Sequence, residues 1–138
     1  SFKDNGMTAL MIASGAGHLS IVKALINTFA VEVNASDNFG HTALMMACGM
    51  GHFEVVEALL SVYETDVNLF KENGMTALMI ASKMGHFTIV ERLLRVVGID
   101  VYAADNSGNT ALTLATANGR KSIAELIQNY MSLNPVNV

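Results

Sequence analysis

With 138 residues, 51% of them hydrophobic and 14% charged, the chain has enough apolar mass for one buried core and too much to stay disordered. Its net charge of −4 argues against general nucleic-acid binding, which needs a basic face to displace counterions. Mean hydropathy is high at +0.39, yet Glu, Lys, Asn and His interrupt every apolar run before the roughly 18 residues that a membrane span requires.

A five-residue phrase recurs along the chain: "GMTAL" from Gly6, "GHTAL" from Gly40, "GMTAL" from Gly74 and "GNTAL" from Gly108, each 34 residues after the last. Self-similarity at such a period marks a stacked array of small units. The expected units are residues 3–36, 37–70, 71–104 and 105–138, together one domain.

In the first unit Thr8 stands where a helix N-cap is wanted, with a side-chain oxygen for the open N–H groups of the first turn. A helix of about nine residues, rich in Ala, Leu and Met, should follow and stop at Gly17, a residue free to take positive φ. "LSIVKALI" then predicts a second helix, and "VEVNASD" a polar turn with Asx chemistry. The second unit repeats the plan with Thr42, Gly51 and "FEVVEALL". Here Val55, Val56, Leu59, Leu60 and Tyr63 form the expected apolar stripe.

Gly49 and Gly51 precede that helix and could serve as a phosphate cradle. However, Gly51 has a counterpart in every unit, whereas the Gly49 position carries Gly15, Lys83 and Ala117 elsewhere. A turn is therefore the better reading. The third unit follows with Thr76, Gly85 and "FTIVERLL". The fourth, with Thr110 and Gly119, replaces large apolar residues by Lys121, Ala124 and Gln128, as a C-terminal cap should. The first unit shows no matching polarity, and the chain begins at Ser1 inside a turn, so further repeats are expected upstream. There is no secretory pattern. The single cysteine, Cys48, cannot close an internal disulfide and favours a reducing, intracellular setting.

The pattern D-x-x-G-x-T-A-L, then G-H, then I/V-V-x-x-L-L, then D-V-N resembles the ankyrin repeat over nearly the whole chain. The tetratricopeptide family shares the period, but it needs bulky aromatics in its first helix and this chain has no Trp. Departures are local. Ala9, Ala43, Ala77 and Ala111 stand in place of the family's proline, Met11, Met45, Met79 and Thr113 in place of its histidine, and one extra residue follows each second helix. The resemblance implies an all-α solenoid of helix-turn-helix units joined by β-turn fingers.

It also implies a concave binding surface made from fingers and first helices. The matching contact positions include Phe39, His41 and Met50 in the second unit. In the third they are Asn73, Met75, Lys83 and Met84, with Phe70 just ahead. Phe39, Met50, Phe70, Met75 and Met84 are expected to be exposed, and Phe and Met are favoured interface anchors. The alternative is that they pack between neighbouring units. Residues 37–70 carry Asp37, Glu54, Glu57, Glu64 and Asp66 with no Lys or Arg, which favours basic flanks on a partner.

The expected product is thus a monomeric, cytoplasmic or nuclear scaffold for a protein or peptide with an apolar anchor and basic flanks. It takes no cofactor, nucleic acid or membrane. The alternatives are a spacer between other domains, or nucleotide binding through Phe70, Lys71 and Lys83. His18, His52 and His86 recur at the repeat spacing, but neighbouring helices lie about 10 Å apart, too far for one metal ion to be shared. No catalytic signature appears, so the chain is not expected to be an enzyme. Finally, the resemblance implies Asn68 as a substrate for asparaginyl hydroxylation, with Leu60, Asp66 and Val67 at suitable offsets. The simpler reading is an Asn that bonds its own backbone in the turn.

Overall fold

The structure, a computed structural model, describes residues 5–28 and 30–136; the outermost residues of the expected first and fourth repeats lie outside it. Among the described residues the chain forms eight helices and no named strand. They run α1 (Ala9–Ala16), α2 (Leu19–Ile26), α3 (Ala43–Met50), α4 (Phe53–Leu60), α5 (Ala77–Met84), α6 (Phe87–Leu94), α7 (Ala111–Ala117) and α8 (Lys121–Leu133). The odd-numbered helices pack on one another in a row, the even-numbered ones form a second row, and each unit joins the two. This is an all-α helical-repeat solenoid. No helix among the described residues is long and apolar enough to cross a membrane.

Each first helix starts as its threonine dictates. Thr8, Thr42, Thr76 and Thr110 adopt extended backbone, and their hydroxyls accept the N–H of Met11, Met45, Met79 and Thr113. Thr113 returns the favour to the Thr110 N–H at 2.7 Å and closes a capping box, which satisfies two open donors at once. Met11, Met45 and Met79 themselves are core residues, buried almost completely.

Gly17, Gly51 and Gly85 end α1, α3 and α5 in the left-handed region. In the fourth unit Asn118 caps α7 and Gly119 follows it, also at positive φ. First helices span seven or eight residues, slightly shorter than expected. The stripe predicted for α4 needs one correction: Val55, Val56 and Leu59 are buried and Leu60 is half-buried, but Tyr63 is exposed. The helix ends at Leu60 with Ser61 as its cap, so Tyr63 falls beyond the periodic face.

Helices of eight residues are marginal alone, and three kinds of bond tie each unit to the next. At the fingers, the N–H groups of Asn38, Glu72 and Asn106 donate to the carbonyls of Asn5, Phe39 and Asn73 at 2.8–2.9 Å. At the turn between helices, His52 and His86 place Nε2 3.1 Å from the carbonyls of Gly15 and Gly49, and Arg120 Nε donates to that of Lys83 at 3.1 Å. A carbonyl only accepts, so these bonds require the proton on Nε2. His52 and His86 are therefore inter-unit clasps. In the loops after the second helices, the Asn34 amide donates to the Glu64 carbonyl and accepts from the Asp66 N–H. Asn68 does the same with Gly98 and Asp100. In the third unit Tyr102 takes over, its hydroxyl donating to the Asn134 carbonyl at 2.9 Å beyond the long α8.

The register shared by Ile21, Val55, Ile89 and Ile123 shows what stacking buries. The last three are 2%, 1% and 3% exposed, whereas Ile21, which has no described unit before it, is 50% exposed. Ile12 on α1 is exposed as well, while its counterparts Met46 and Ile80 are half-buried. The first unit thus shows solvent an apolar face that every later unit covers.

Candidate functional site

Met50 and Met84 occupy the last helical position before the cap glycine in α3 and α5. Both side chains emerge on the side of the fingers and are 64% and 49% exposed. Between them lies a groove of about 580 Å³, walled by the two first helices and the fingers that precede them. Met45, Met46, Met75 and Ile80 supply its floor, and Gly15 and Gly49 line it. Gly49 leaves room for the floor: a Cβ there would lie 3.2 Å from Ile80 Cγ2, so that side chain would have to give way by a few tenths of an ångström. This is a packing role, distinct from the left-handed turn at Gly51.

His41, Met50, Met75, Lys83 and Met84, five of the expected contact residues, line this one groove. The other three behave differently. Phe39 and Asn73 border a neighbouring hollow of about 450 Å³ between the finger tips, together with His41, Lys71, Glu72 and Asn106. Phe70 lines neither hollow; it pairs through its backbone with Thr76 and its side chain is exposed. The trio of Phe70, Lys71 and Lys83 is therefore not assembled around a shared cavity. Met75 departs from its expected exposure, being only 7% exposed. It folds under the finger, where its N–H donates to Asn73 Oδ1 at 3.1 Å, and it offers the groove an edge of thioether rather than a free side chain.

Asp37 shapes the second finger. Its Oδ1 accepts the N–H groups of Phe39 and His41, both at 2.9 Å, and its Oδ2 lies 3.1 Å from His41 Nδ1. The Phe39 and His41 rings meet edge-on with centroids 6.4 Å apart. Burial alone would raise the Asp37 carboxyl, but the two backbone N–H groups and the His41 ring outweigh it and hold the pKa below the usual 3.8. The folded form thus binds a proton less readily than the unfolded chain, so this stabilisation is complete above the ordinary carboxylate range and is lost as pH falls through the folded value. Asp37→Asn should accordingly be less stable than wild type at neutral pH, with the gap narrowing at an acidic pH below the ordinary carboxylate range. Urea midpoints at the two pH values give the comparison.

Of the five acids that favoured a basic partner, Asp37 lines the groove and the other four do not. Glu57 on α4 is paired with Arg92 on α6 at 2.6 Å. Glu54, Glu64 and Asp66 border hollows formed by the second helices and the loops after them. None of these lines the groove, so their charge says little about what the groove accepts. Asn68 also belongs to that far side. Contrary to the local-turn reading, its amide is spent on the next unit, with both bonds formed about 30 residues ahead. An enzyme acting on Asn68 must first open them. Cys48 is fully buried, and burial pushes its thiol well above the usual range, which makes it a packing residue rather than a nucleophile.

Sequence reasoning missed the floor of the groove, Met46 and Ile80, and the wall residue Lys71 as a groove-lining group. A signal existed: Gly15 and Gly49 recur one unit apart, each opposite a large side chain of the following helix. A family model described as ankyrin repeats, in three copies, matches residues 1–71 and again 63–137. No curated protein matches the chain.

Proposed function

This chain belongs to the ankyrin-repeat family, whose members are generally protein–protein interaction modules, and from that premise we propose that it holds a peptide segment of a partner protein in the groove between α3 and α5. The observation that carries the proposal is the pair of exposed methionines, Met50 and Met84, standing over an apolar floor open to solvent. Thioether side chains adapt to different apolar shapes at little cost, and truncating a central anchor in an interface commonly weakens binding by more than a factor of ten. His41 and Lys83 give the walls polar edges that orient a segment once its apolar side chain is seated.

The test uses random peptides displayed on phage and selected against the intact chain. Met50→Gln with Met84→Gln keeps side-chain length and removes the apolar walls. The double variant is expected to unfold within about 0.5 kcal/mol of wild type per substitution, since both positions are exposed. It should bind the selected peptides at least about tenfold more weakly. Undiminished binding by the double variant would place the contact elsewhere, and a large drop in stability would make these methionines core residues.

A further inference from the structure

Two lysines line the groove, Lys71 from the third finger and Lys83 from α5. The finger position of Asp37 and Asp105 is Lys71 in the third unit and Lys3 in the first, whereas the helix position of Gly15, Gly49 and Ala117 is a lysine at Lys83 alone. The finger exchange changes which side chain holds the turn. Asp37 and Asp105 each accept two backbone N–H groups of their own finger, at 2.8–2.9 Å. A lysine side chain has no acceptor, so in the third finger Asn73 Oδ1 takes the Met75 N–H at 3.1 Å and the backbone pair between Lys71 and Met75 remains. The Lys71 side chain is thereby left without a part in holding its own finger, and Lys83 stands where the other units have only Gly or Ala.

From the two lysines in the lining we infer that the groove selects an acidic segment: an apolar anchor over the methionine floor, flanked by carboxylates that reach Lys71 and Lys83. This rests on the reading of the groove as a peptide site and replaces the basic flanks suggested by summed charge. The electrostatics of the lining support it. The charged groups in the groove are Lys71, Lys83 and Asp37, and the Asp37 carboxylate is already committed to its finger and the His41 ring. Among the described residues neither lysine closes an ion pair. Lys83 does feel the Asp105 carboxylate, which is itself engaged by the N–H groups of Ser107 and Asn109. Glu72 is exposed on the third finger and borders the neighbouring hollow rather than this groove. An incoming carboxylate thus meets two lysines beside an apolar floor open to solvent, where the attraction is screened by salt.

The experiment reads the composition of the peptides selected above and then exchanges the charges. Asp and Glu should be enriched within a few residues of the apolar anchor. The best peptide, made synthetically and followed by fluorescence anisotropy, should lose about tenfold in affinity between roughly 0.05 and 0.5 M salt. Lys71→Glu with Lys83→Glu should weaken it by at least about tenfold and redirect a fresh selection toward Lys and Arg. Lys71→Met with Lys83→Met guards against a folding defect, since it keeps the apolar stems and should give an intermediate loss. Peptides that are basic or uncharged, or whose binding ignores both salt and the charge exchange while still needing Met50 and Met84, would overturn the acidic preference and leave the groove intact. If wild type enriches no peptide that depends on Met50 and Met84, the groove reading falls as well.

Discussion

Val55→Lys is expected to cost about 3–5 kcal/mol, while Ile21→Lys, at the same register one unit earlier, should cost less than about 1 kcal/mol. Val55 is 2% exposed and pressed against the first unit, so a lysine there must bury its ammonium unpaired or force the second helices apart. Ile21 is half in water already, and a lysine can lay its methylenes along the surface and keep its head wet. A small domain is stable by roughly 5–15 kcal/mol, so the first change removes a large share and the second little. Urea unfolding of both variants beside wild type decides. Equal losses would show that α2 is covered in solution by something the described residues do not include, and a negligible loss at Val55 would contradict the stacking itself.

The second large effect concerns the cap glycines. Gly51→Ala should cost about 2–4 kcal/mol, and Gly119→Ala about 1 kcal/mol. Both glycines have positive φ, 78° and 71°, which penalises any side chain. At Gly51, however, an added Cβ would sit 2.7 Å from the His86 ring. His86 must then swing aside and give up its bond to the Gly49 carbonyl, leaving that acceptor without its partner. Around Gly119 nothing lies within 4 Å of the same atom, so backbone strain alone remains. Calorimetric or urea midpoints of the two variants separate strain from collision. Identical shifts would mean that the ring yields freely.

The comparison between sequence and structure divides along the range of the forces involved. Thr8, Thr42, Thr76 and Thr110 announced the helix starts, and Gly17, Gly51 and Gly85 the stops, because capping and positive φ are met within a few residues. The Gly49 position was separated from Gly51 by the same repeat logic, although its partner Ile80 came only with the fold. Tyr63 misled because the apolar period ran past the point where the helix stopped. Met75 misled because, directly before the buried Thr76, it tucks inward with it. Asn68 bonds groups some 30 residues away, which no local turn rule reveals. The charge argument bears little on the groove for a geometrical reason: adding charge along a repeat mixes two faces, and of the acids of residues 37–70 only Asp37 lines the groove.

Each junction between neighbours is held at three separated places: a finger tip, the turn between helices, and the loop after the second helix. Three tethers that do not share a line act as a tripod, resisting bending, shear and torsion together. The opening between α3 and α5 then keeps its width in the empty state, and its compliance resides in the rotamers of the thioether side chains. A guest seated there orders methionines rather than backbone, so the entropy it forfeits is that of a few side chains, on the order of 0.5–1.5 kcal/mol for each one immobilised.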